Sequence, residues 1–78
     1  MIIIESAPRG DALYHRIETD ERELGYQIYD VAMNRGHKPH LRTFAGGSWF
    51  LIELSATHSE MAAIVEAARS EAASRDPE

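Results

Sequence analysis

Apolar positions open this chain as a continuous block, become scattered over the next thirty residues or so, and then settle into alternation and finally a helical stripe. Met1-Ile2-Ile3-Ile4 is apolar throughout. Consecutive β-branched residues without helical spacing predict a strand over 1–5, and two apolar faces place it inside a sheet rather than at an edge. Ala7-Pro8-Arg9-Gly10 has the composition of a loop. Asp11 can then cap a helix running to Leu24. Leu13, Ile17 and Leu24 fall on one stripe of it, Glu18 and Arg22 form an i,i+4 pair outside, and Gly25 is suited to end it. Residues 26–33, Tyr-Gln-Ile-Tyr-Asp-Val-Ala-Met, are rich in aromatic and β-branched types and predict a second strand.

The same stretch admits a rival assignment, a strand over 12–18 followed by a helix over 21–35. Asp20 and Glu23 match a capping box, and Leu24, Ile28, Val31 and Ala32 keep helical spacing up to Gly36. Gly25 tips the assignment to helix-then-strand, because glycine inside a helix costs about 1 kcal/mol relative to alanine.

Further on, Asn34-Arg35-Gly36-His37 signals a turn and Pro39 keeps its neighbours extended. Leu41–Ala45 predicts a short strand, Ala45-Gly46-Gly47-Ser48 a hairpin turn, and Trp49–Leu54 a strand. Thr57 and Glu60 fit a capping box ahead of the stripe Met61, Ile64, Val65, Ala68 and Ala72, which predicts a second helix. The expected order is β-α-β-β-β-α. It describes a single small α+β domain over 1–75, an antiparallel sheet of about four strands with two helices mainly on one face. Residues 76–78 are expected to form a disordered tail.

Composition narrows the function classes. The 78 residues are 44% hydrophobic and carry 13 acids against 8 bases, a net charge of −5, which allows one thin core. With no cysteine, disulfides and thiolate-held zinc are excluded. The opening apolar run is too short for a signal-peptide core or a membrane span, so a cytoplasmic protein without a membrane partner is expected. General nucleic-acid binders need a basic field for phosphate, so no direct sequence-specific nucleic-acid binding is expected either. An acidic surface suits a basic partner surface instead.

Two surface features stand out. Strand alternation sets Phe50, Ile52 and Leu54 on one face and Trp49, Leu51 and Glu53 on the other. If helices cover the first face, Tyr26, Ile28, Trp49 and Leu51 lie uncovered together, an aromatic patch suited to a protein partner or a homodimer. The second feature is Arg35, His37, Lys38, His40 and Arg42, a positive turn that could contact a small anion or an acidic partner. Alternation puts His40, Arg42 and Phe44 on one strand face, so only part of this patch converges.

Catalytic arrangements are not apparent. His37-x-x-His40, with His58 or Glu60, offers metal-binding types, but the pair brackets Pro39 in an extended segment and zinc needs further converging ligands. No metal or cofactor is expected. Ser48, Ser55 and Ser59 sit in turn or cap contexts without a Gly-x-Ser-x-Gly elbow, and Gly46-Gly47-Ser48 lacks the lysine of a phosphate loop. Asp20 and Glu21 have no apolar surroundings to raise a pKa. Arg9-Gly10-Asp11 reads as a turn followed by a helix cap, and His15 as a surface or boundary residue of the first helix. The sequence therefore points to a non-enzymatic, acidic protein-binding module, an inhibitor or modulator of the immunity or phage-accessory kind. Its acidic helices would suit a larger, nucleic-acid-handling target. The alternative is a dimeric ligand-binding or regulatory domain holding a small anion at residues 35–42.

Overall fold

The computed structural model describes residues 1–10 and 12–75. In chain order the elements are β1 (Ile2–Arg9), β2 (Ala12–Thr19), α1 (Arg22–Asn34), β3 (His40–Phe44), a short 3-10 turn (Ala45–Gly47), β4 (Trp49–Ala56) and α2 (His58–Arg75). The four strands form one antiparallel sheet in the order β1-β2-β4-β3. The α+β class with four strands and two helices is as expected, but the order is β-β-α-β-β-α, not β-α-β-β-β-α. Residues 12–33 take the rival assignment, strand then helix. The expected cap at Asp11 and tail at 76–78 lie outside the described residues.

The swap has a physical cause. Leu13 and Ile17 are four residues apart, a spacing that keeps two side chains on one face of a helix and of a strand alike. In β2 the inward positions are Leu13, His15, Ile17 and Thr19, and the outward ones Tyr14, Arg16 and Glu18. This alternation is hidden in the sequence because two of its inward residues are polar. In α1 the buried residues Leu24, Gly25, Gln27, Ile28 and Ala32 keep a helical period.

Gly25 is a close-approach residue rather than a helix stop. A Cβ built there would lie 3.1 Å from the Phe50 Cβ and 3.3 Å from its Cγ. The missing side chain lets α1 lie tightly on β4, and this packing offsets the propensity cost. The capping box of the rival assignment, Asp20 and Glu23, does not form, since α1 starts without a side-chain cap. Asp20 and Glu21 instead pair with the Met1 ammonium at 3.1 and 2.8 Å. Thr19 Oγ1 donates to the Met1 carbonyl at 2.8 Å and accepts the Glu21 N–H at 3.1 Å. At the far end Gly36, with φ +88°, closes the helix. Its N–H donates to the Met33 carbonyl and the His37 N–H to the Ala32 carbonyl, the paired bonds of a Schellman motif.

β2 and β4 fill the middle of the sheet, and Ile17 faces Ile52 across them. The core forms on one sheet face. Ile17, Phe50, Ile52, Leu54 and Ala56 cluster there with Leu24, Ile28 and Ala32 of α1 and Met61, Ile64, Val65 and Ala68 of α2. The capping box that opens α2 does form. The Glu60 N–H donates to Thr57 Oγ1, and the Thr57 N–H to Glu60 Oε1, each at 3.1 Å.

Two further expectations are corrected. β1 is an edge strand, not an interior one, and Ile3 and Ile4 stay 42% and 39% exposed. Residues 7–9, read as loop, belong to it, and Pro8 is tolerated there because an edge strand leaves some N–H positions unpaired. His15 is fully buried in β2 rather than on a surface helix. Its Nε2 lies 2.9 Å from the Ala56 carbonyl, which can only accept, so Nε2 carries a proton, and Nδ1 is hydrogen-bonded with the Ser6 hydroxyl at 2.7 Å.

Candidate functional site

The sheet face opposite the core cluster, the outer face, is laid out in rows by the strand register. Glu5, Arg16, Glu53 and His40 form one row, and Ile3, Glu18, Leu51 and Arg42 the next, with Trp49 and Phe44 paired beyond them. Opposite charges alternate along the first row, which favours the pairing. Arg16 comes within 3.7 Å of Glu53 and 4.0 Å of Glu18, and Arg42 within 4.0 Å of the other Glu53 oxygen. Leu51 is buried even on this face, flanked in register by Glu18 and Arg42, whose aliphatic stems are long enough to cover it.

At the end of the outer face remote from Trp49 lies an open depression of about 440 Å³, lined by Arg9, Tyr14, Lys38, His40, Arg42 and Glu53 among others. Each strand contributes to it. β1 supplies Arg9, whose guanidinium stands 4.9 Å above the Tyr14 ring, a cation–π contact that orients it. Tyr14 projects outward from β2, Glu53 from β4, and His40 and Arg42 from β3, with Lys38 just ahead of that strand.

The Glu53 carboxylate accepts from the Tyr14 hydroxyl and thereby raises the phenol pKa above its ordinary 10.0. Burial and the carboxylate charge add to the effect, while Arg9 and Arg16 oppose it. Glu53 is thus committed to Tyr14, Arg16 and Arg42. The Arg42 side chain is still 70% exposed, and no ion pair holds Lys38 among the described residues. Guanidinium and ammonium groups arranged this way can hold a carboxylate or a phosphate oxygen.

Of the five residues expected at the positive turn, the structure brings Lys38, His40 and Arg42 to this depression. Arg35, at the C-cap of α1, lines a separate depression of about 580 Å³ beside Asp30 and Glu71. His37 is half-buried and faces the start of α2. There its charge assists the Thr57 backbone N–H, the main cause, in holding the Glu60 carboxyl below its ordinary 4.5. Arg9 and Tyr14 were missed. The outward position of Tyr14 is visible only once 12–18 is read as a strand, and that of Arg9 only once β1 is paired with β2.

The four expected interface residues divide. Trp49, half-buried, and Leu51 lie on the outer face. Ile28 is fully buried in the core, and Tyr26 sits on α1 with its ring 5.5 Å from Phe50. Both leave the expected patch because residues 22–34 form a helix, where a period of two no longer sets the faces. Among the described residues, no three His, Asp or Glu side chains gather as a metal site, and no helix is long and apolar enough to cross a membrane. The chain matches no protein-family model, no curated protein and no solved structure.

Proposed function

We propose that this protein is a non-enzymatic binding module that takes an acidic segment of a partner protein on its outer sheet face. The observation carrying this reading is the convergence of Arg9, Lys38, His40 and Arg42 beside Tyr14 at one end of that face. Trp49 and Phe44 lie further along the same face, and arginine with aromatic residues is the composition enriched in interface cores. The charge pattern favours an acidic occupant and speeds its encounter.

The acidic residues at the helix starts are the weaker contact surface, because their carboxylates are engaged within the fold. Asp20 and Glu21 hold the Met1 ammonium, Glu23 accepts from the Gln27 amide at 3.2 Å, and Glu60 closes the α2 cap.

The test is a titration of isotope-labelled protein, followed by amide chemical shifts, with a glutamate-rich peptide and separately with inorganic phosphate. The peptide is expected to shift residues 9, 14 and 38–42 together with the Trp49 indole. Replacing Lys38 and Arg42 by alanine should weaken it by about tenfold or more, as loss of charge-assisted bonds implies. Equal shifts with phosphate alone would favour the small-anion domain instead. Shifts spread evenly over Arg22, Arg35 and Arg69, or none, would overturn the proposal.

A further inference from the structure

The two edges of the sheet are treated very differently. β3 is short, spanning His40–Phe44. It carries His40 and Arg42 and runs directly into the 3-10 turn, so it is a poor template for another strand. β1 is eight residues long, and its pairing with β2 runs from Ile2↔Thr19 to Arg9↔Ala12 without a bulge. Its first three residues, Ile2-Ile3-Ile4, carry no charge and no proline ahead of Glu5, and Ile3 and Ile4 are exposed on opposite faces. Devices that usually blunt an edge, such as lysine, a bulge or a covering helix, are missing from these three residues. Pro8 and Arg9 are confined to the other end.

We propose that β1 pairs antiparallel with β1 of a second copy, about a two-fold axis within Ile2–Ile4, to make a dimer with one continuous eight-stranded sheet. The side chains select this occupant and this axis. Residues opposed across antiparallel strands share a face, so a two-fold axis perpendicular to the sheet must run between one residue and its own copy, directly opposite. An axis at Glu5 would oppose two like charges, which is unfavourable. An axis at Ser6 would set Ile3 and Ile4 against Arg9 and Pro8. An axis at Ile3 or Ile4 sets isoleucine against isoleucine and leaves each Glu5 opposite an apolar residue.

The assembly is closed, because both outer edges of the enlarged sheet are then the blunted β3 strands. Strand pairing over so few residues buries less than a standard interface, so association is expected to be concentration-dependent. Both outer faces, with their cationic depressions, would lie on one side of the joined sheet. The inference does not depend on what those depressions bind.

The experiment is molar mass by light scattering over a dilution series from about 1 µM to about 1 mM, wide enough for a weak interface. The mass is expected to rise from 8.8 kDa towards twice that value. Ile4→Lys should remain near the monomer mass at every concentration with an unchanged circular-dichroism spectrum. Ile3→Lys, at the outer face, gives the same reading should Ile4→Lys fail to fold. In this cysteine-free chain, Ile3→Cys or Ile4→Cys should form covalent dimers on mild oxidation, while Ala7→Cys should not. A monomer at all concentrations overturns the proposal. So does a dimer that survives both lysine substitutions, or equal cross-linking at Ala7.

Discussion

At position 25 two effects of opposite sign compete. Alanine would gain about 1 kcal/mol of helix propensity over glycine. Its methyl would also meet the Phe50 Cβ at 3.1 Å, an atom carried by a central strand that has little room to move. Overpacking of this kind costs about 1–3 kcal/mol. Gly25→Ala is therefore expected to be destabilised, seen as a lower urea midpoint with an unchanged slope. A raised midpoint would show that α1 can lift away from β4. The same residue explains why the sequence misled. A local propensity argument counts only the helix term, and the compensating contact belongs to a residue 25 positions further along the chain. His15 misled for a related reason, since its two hydrogen-bond partners, Ser6 and Ala56, come from different strands and make burial of an imidazole acceptable.

Among the elements, α2 was the most legible, because its capping box and its stripe are both local features. Its start also sets a pH response. The Glu60 carboxyl is held below 4.5, first by the Thr57 backbone N–H and then by the nearby His37 charge. A carboxyl with a depressed folded-state pKa stabilises the fold above its unfolded value, and the contribution disappears as pH falls through the folded value. Glu60→Gln should therefore melt below the parent protein near neutral pH, with the gap closing in acid. A gap that stays constant as pH falls through the folded value would assign the effect to side-chain shape rather than charge. α1 was less legible. Its apolar spacing was visible, but its start has no side-chain cap, and β-branched and aromatic residues in its second half argued for a strand.

For the whole molecule, the sheet separates two jobs. One face holds the core cluster, and the other carries a lattice of charge around Glu53. The arginine ends of these pairs are 45% and 70% exposed although Glu53 is 15% exposed. Each pair therefore contributes about 1 kcal/mol or less, and Glu53→Gln should lower the melting temperature by several degrees at most. It should lower the Tyr14 pKa towards 10.0, measurable as tyrosinate absorbance in alkali. The sign follows from a raised folded-state value. The Tyr14 contribution is present below pH 10.0 and is lost as pH rises through the folded pKa. Removing the competing carboxylate should also tighten binding of the glutamate-rich peptide. Weaker binding would mean that Glu53 positions Arg42 rather than competes for it.

What the sequence by itself determined was local. The β3–β4 hairpin follows from its glycine pair, α2 from its cap and stripe, and the facing of Trp49, Leu51, His40 and Arg42 from strand alternation. Tertiary structure alone decided the rest. A spacing of four residues satisfies helix and strand equally, so the identity of 12–33 waited on which partners covered Leu13 and Ile17. An isoleucine run fits an interior or an edge strand, so the place of β1 waited on the sheet order. The cationic depression was likewise invisible, because Arg9 and Tyr14 reach Lys38, His40 and Arg42 only when all four strands are aligned. Such long-range pairings are fixed by the collective burial of one core, which no single segment encodes.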